Sequence, residues 1–171
     1  QAAQAALELI NYAESSGVHA LYYDPAEPEK SYTRYFNERK NKENILVNLR
    51  AYDNDLYQLF PPFNPWNLNK ELATVPTQWL VDCYDMADGT EPILGYHADY
   101  SPIINPAAGY DEQNPYTNRD PRLAQSMLYH GLTWPKVNKG PHTVDITTPE
   151  KWGSGYFLTK FLDDRIDHRD G

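Results

Sequence analysis

The chain has 171 residues, enough for one domain with a real core, and its single cysteine, Cys83, leaves no internal disulfide and no Cys-based zinc site. Aromatics reach 13%, led by 14 Tyr, beside 14 Pro; a charged fraction of 23% argues against wholesale disorder, and this mixture calls for irregular segments pinned by rings. A formal charge of −9 argues against broad contact with nucleic-acid phosphates and against a polybasic grip on anionic lipid.

Residues 2–16 read as the best helix, because Ala3, Ala6, Leu7, Ile10 and Ala13 recur at the spacing of one helical face and Gly17 can stop it. Its alanine stripe suits close packing by a neighbouring helix. Gln1 to Ala6 read as the middle of a helix, with neither an initiator Met nor a basic leader, so the chain is expected to be a piece of a longer protein. No apolar run is long enough to span a bilayer. Val18 to Lys30 reads as loop. Tyr32, Tyr35, Phe36 and Arg39 place a short helix over 31–40. Ile45, Val47 and Leu49 alternate with Leu46, Asn48 and Arg50, which predicts a strand from Glu43 to Arg50. Residues 51–75 are mixed, with Pro61, Pro62 and Pro65 forcing an extended path past Phe60, Phe63 and Trp66.

Pro76 to Met86 reads as a helix with Pro at its first position. Trp79, Leu80, Cys83 and Met86 form its apolar face, so Trp79 is expected in the core and Cys83 is expected to be a small buried hydrophobe. Gln78, Asp82 and Asp85 form its polar face. Asp88-Gly89 is a turn signal. Residues 90–118 read as one long loop rich in Tyr, Asn and Pro. Asp120 is placed to cap a short helix opened by Pro121, and Arg119 or Arg122 can bridge loop carbonyls. Met127 to His130 reads as a strand, Thr133 to Gly153 as a polar loop, Gly155 to Leu162 as a last strand and Asp163 to Gly171 as a charged tail. Trp134 and Trp152 are not assigned.

Four segments together carry a resemblance. Pro76 to Gly89 (PTQWLVDCYDMADG) and Asn114 to Leu123 (NPYTNRDPRL) are similar to two signature segments of the SusD/RagB family, and Tyr129-His130-Gly131 with Trp134, then Gly155-Tyr156-Phe157 with Lys160 to Asp163, are similar to the two strands that follow them. Glu43 to Leu46 also looks like a strand start of that family. The resemblance implies a mainly α fold of tetratricopeptide-like helices with long loops and a few short β-strands. It implies a lipid-anchored protein on the outer face of the outer membrane of Bacteroidetes-type bacteria, lying as a lid over a TonB-dependent, SusC-like transporter. The implied cargo is an oligosaccharide, or in some members a peptide; a pure transporter scaffold is a further alternative. The family's lipidated Cys and late helix have no counterpart here, so 1–171 is expected to be a single-domain fragment from the C-terminal part, incomplete as a scaffold and without an anchor of its own.

Candidate chemistry was weighed residue by residue. Glycosidase carboxylates face each other across a cleft, whereas Asp82 and Asp85 sit one turn apart on a helix, so no catalytic residue is assigned and the chain is expected not to be an enzyme. His97 with Asp99, His142 with Asp145, and the tail group Asp163, Asp164, Asp167, His168 and Asp170 lack the spacing of a calcium loop, so no metal and no cofactor is expected. There is no G-x-S-x-G and no Gly-rich phosphate loop. The aromatic loops remain: rings cover the apolar face of a pyranose while amides bind its hydroxyls. The residues expected to contact ligand are Trp66, Asn67, Tyr96, Tyr100 and Tyr110, with Asn105 nearby in sequence.

Overall fold

The computed structural model describes residues 1–47, 75–137, 140–147 and 155–166. The chain divides into two compact units, Gln1–Asp53 and Asn54–Gly171.

In the first unit, α1 spans Ala2–Ser16 and closes on Gly17, whose φ of 64° lets its N–H reach back to Ala13 O. That left-handed cap is open to glycine without strain. No residue of α1 is buried, so the helix rests on the intrinsic propensity of its alanines more than on packing. A 3-10 turn, Pro28–Lys30, leads into α2, Ser31–Asn37. The buried residues of α2 are Thr33 and Arg34, not the aromatic set; Arg39 lies beyond its end. Arg34 can be buried because Glu27 meets it, with Nε 2.8 Å from Oε2 and Nη2 on the same oxygen. Tyr22, Tyr32, Tyr35 and Phe36 pack edge to face on one another. The strand expected from Glu43 is not formed over 43–47, where the backbone turns and bends and leaves Ile45, Leu46 and Val47 exposed; 48–50 lie outside the described residues. Alternation alone makes no strand without a partner edge.

The second unit is built from two short helices and three two-stranded antiparallel pairs among the described residues. Helix α3, Gln78–Asp82, starts two residues later than expected and ends four earlier. Thr77 is its N-cap, with Oγ1 accepting from Leu80 N, and Pro76 precedes the cap. Gly89 turns the chain at φ 84°, as Asp88-Gly89 signalled. The loop expected over 90–118 contains a hairpin, β1 (Ile93–Tyr96) on β2 (Pro102–Ile104). Helix α4, Pro121–Ser126, opens as expected: Asp120 caps it by accepting from Arg122 N, and Arg122 closes an ion pair onto the same carboxylate. β3, Met127–Leu128, pairs with β6, Phe157–Leu158, so both family-like strands exist but are two residues long. The loop expected over 133–153 contains a second hairpin, β4 (Thr133–Val137) on β5 (Gly140–Thr143). Pro102, Pro135 and Pro141 hid these strands from the pattern. In two-stranded pairs every strand is an edge, where a missing N–H breaks no ladder.

The β3–β6 pair partitions the core. Successive strand residues point to opposite faces. Met127 and Tyr156 join Val81 and Leu123 on one side, with Tyr84, Tyr116 and Tyr129 packed around them. Leu128 and Phe157 join Trp134, Val144 and Leu162 on the other. Trp134 is therefore core, and Trp152 lies outside the described residues. Short strands are present as expected, but only α1 among the described helices exceeds seven residues, so the mainly α, tetratricopeptide-like pairing is not seen among them. No described helix is long and apolar enough to cross a membrane.

Candidate functional site

Helix α3 carries its faces the opposite way from the sequence expectation. Val81 and Asp82 are buried, while Trp79 is 66% exposed and Leu80 and Cys83 face out as well. Trp79 is not core, and Cys83 is not a buried hydrophobe. The inversion follows from Asp82. A buried carboxylate is tolerated when donors satisfy it, and here Gln78 Nε2 donates to Oδ1 at 2.7 Å and Tyr96 OH donates to Oδ2 at 2.5 Å. With Asp82 turned inward, Trp79 and Cys83, on the other flank of this short helix, turn outward. Met86 keeps its burial from beyond the helix, where it bridges to the backbone of Arg119.

The hydrogen bonds continue inward. Tyr156 OH donates to Gln78 Oε1 at 2.6 Å, and Tyr116 OH lies 3.2 Å from Tyr156 OH. Tyr116 in turn stacks on Tyr129, with centroids 4.0 Å apart. At the outer end the Trp79 and Tyr96 rings are stacked at 5.0 Å and 22°. The arrangement is an exposed indole on a phenol whose hydroxyl is tied to a buried carboxylate.

Arg119 builds the floor beside it. Its Nη1 donates to Pro115 O and its Nη2 to Val81 O and Tyr84 O, which is the carbonyl bridging expected of this segment. Tyr110 lies over the guanidinium at 5.4 Å. Asp85 contributes its backbone carbonyl to Asp120 N, not its carboxylate to a cleft.

Of the expected contact residues, Tyr96 and Tyr110 are half-buried, and the charge of Asp82 acts on both. Tyr100 stands at the tip of the β1–β2 hairpin, 86% exposed and at φ 66°, with no ring contact to Tyr96 or Tyr110. Trp66 and Asn67 lie outside the described residues. Asn105 is structural, donating to Glu91 O and accepting from Ala107 N. Among the described acidic and histidine groups, Asp99 holds Ser101, Asp145 holds Thr147 and lies 3.7 Å from His130, and Asp163 pairs with Arg165; Asp167, His168 and Asp170 lie outside the described residues. Among the described residues no group of three or more His, Cys, Asp or Glu is arranged to hold a metal ion. Trp79, Gln78 and Tyr156 were missed as site residues. The signal for Trp79 was a tryptophan beside an acid that needed a buried partner. Nothing in the sequence pointed to Tyr156, 78 residues from its bond to Gln78.

Burial, then the bond to Asp82, pushes the Tyr96 phenol up from 10.0 to about 12. The unfolded chain therefore ionises this group first. The stability it supplies is whole below pH 10 and is lost as pH rises toward about 12. Tyr156 is raised by burial and by Tyr116, and acts in the same direction. Alkaline unfolding followed by circular dichroism should show a shallower loss in Tyr96→Phe than in the wild type; equal slopes would place the strain elsewhere.

The SusD family model matches residues 29–169. Among solved structures, a SusD-like protein from Bacteroides fragilis, determined at 2.70 Å resolution, is 30% identical over 56% of this chain, with a TM-score of 0.39. The chain spans 19% of that protein's length. No curated protein matches the chain significantly.

Proposed function

The chain belongs to the SusD family, and from that premise we propose that it is part of a non-catalytic surface protein that captures oligosaccharide for uptake through a TonB-dependent, SusC-like transporter in the outer membrane. Glycan binding without catalysis is the general property of the family. The observation that carries the reading to this chain is the Trp79 indole, 66% exposed and stacked on Tyr96. An open indole face beside hydrogen-bonding side chains suits a pyranose ring, whose C–H face is apolar and whose rim is polar. Tyr100 and Tyr110 are proposed as further contacts, and Trp66 and Asn67 stay proposed from sequence. A surface serving only the transporter would expose few rings, and two of these are open. Asp82, held by two donors, is not presented as an acid or base toward a substrate.

Calorimetry against a panel of plant and host oligosaccharides tests the reading on the full-length protein. Trp79→Ala should weaken the best ligand by about tenfold or more, on the order of 1–3 kcal/mol for a lost hot-spot ring. Because the indole is exposed, the melting temperature should move little. Binding of peptides and of no glycan would replace the sugar reading with peptide capture.

A further inference from the structure

We infer that Asp82 and the Tyr96 hydroxyl are positioning groups that fix the Trp79 ring for ligand without touching the ligand themselves. The inference rests on the capture reading above and adds how that site is held. Helix α3 has five residues, little more than one turn, and an exposed side chain on it has no wall of its own to lean on. One face of the indole lies on Tyr96. Tyr96 ends β1 in a two-stranded hairpin, opposite Pro102, and such a hairpin is marginal by itself. The phenol is fixed instead through its hydroxyl, on Asp82 Oδ2.

Asp82 is fixed in turn. Its Oδ1 accepts from Gln78, Gln78 accepts from Tyr156, and Tyr156 is buried with Leu123 and Met127. The donors form one ordered chain. Tyr156 donates to Gln78, Gln78 donates to Asp82 from one side and Tyr96 donates to it from the other. The two carboxylate oxygens of Asp82 let both arms end on one group. The relay joins an exposed ring to the core through hydrogen bonds that no apolar contact replaces. Preorganisation of this kind raises affinity by removing the freedom a ligand must otherwise freeze.

The test uses the full chain labelled with 5-fluorotryptophan, the Trp79 resonance being assigned with Trp79→Phe. Tyr96→Phe keeps the stacking ring and removes the tether. It should shift the Trp79 fluorine signal, leave the buried Trp134 signal in place, and weaken oligosaccharide binding by about threefold or more, the effect of freeing one side chain. Asp82→Ala should do the same. Asp82→Asn should largely restore the signal, because a flip of the Gln78 amide lets the donors run in reverse. An unmoved Trp79 signal in Tyr96→Phe overturns the inference whether or not a glycan binds. If Trp79→Ala abolishes binding and Tyr96→Phe binds like wild type, the positioning role fails and the capture reading stands. If Trp79→Ala changes no glycan titration, the capture reading fails, and the fluorine spectra still decide whether Asp82 holds the ring.

Discussion

Arg119→Met lowers the stability of the chain by about 2–4 kcal/mol, because it strips the side-chain donor from the part-buried Tyr84 O and Pro115 O, each unsatisfied acceptor costing about 1–3 kcal/mol, and leaves Val81 O with its backbone donors alone. Whole domains are stable by about 5–15 kcal/mol, so this single change removes a large share of the margin. Arg119 also sits in a seam of backbone bonds, with Ala87 N on Asn118 O and Asp120 N on Asp85 O, that joins the end of α3 to the start of α4. The guanidinium reaches the carbonyls of Pro115, of Val81 in α3 and of Tyr84 just beyond it from one planar group. Lysine offers a single point charge and cannot span the same acceptors. Arg119→Lys should therefore recover less than half the loss. Urea titration by tryptophan fluorescence measures both; an Arg119→Met chain that unfolds at the wild-type midpoint would show that the bridge carries no stability.

Met127→Ala is the second large effect, expected at about 2–5 kcal/mol. Met127 is wholly buried and touches one of the two core clusters only, the one that holds Val81, Leu123 and Tyr156. The cavity opens on the far side of β3 from Leu128, so the cluster around Trp134 should keep its packing. Met127→Leu, which nearly conserves volume, should stay under about 1.5 kcal/mol. Near-ultraviolet circular dichroism and denaturant midpoints separate the two variants. Equal midpoints for Ala and Leu would mean that this cluster tolerates a hole.

Much of the second unit was legible because its signals are local. Asp120 with Pro121, Asp88-Gly89 and the bridging role of Arg119 are each decided within a few residues or by a donor set that has one obvious use. The first helix was legible to its last residue because alanine and Gly17 need no partner. The hairpins were not legible. Their strands are three to five residues long, all but β1 carry a proline, and only the partner edge makes them strands. The faces of α3 were misread for a related reason. Trp79 and Cys83 are the more apolar residues, but the fold is settled by Asp82 finding Gln78 and Tyr96. That choice depends on Tyr96, 14 residues from Asp82, and on Tyr156, 78 residues from the Gln78 it holds. The candidate site was legible in part: Tyr96 and Tyr110, picked from a loop, lie within reach of the Asp82 charge, while Trp79, which stacks on Tyr96, was assigned to the interior.

The outward turn of α3 also gives the protein a reactive handle. Cys83, the one thiol in the sequence, is exposed one helical turn from Trp79. A maleimide dye will attach there and nowhere else, without mutagenesis, and a small environment-sensitive fluorophore at that position reads the surroundings of the indole directly. The same thiol lets two chains cross-link through oxidation in air, so preparations need a reductant before any stoichiometry is taken from them.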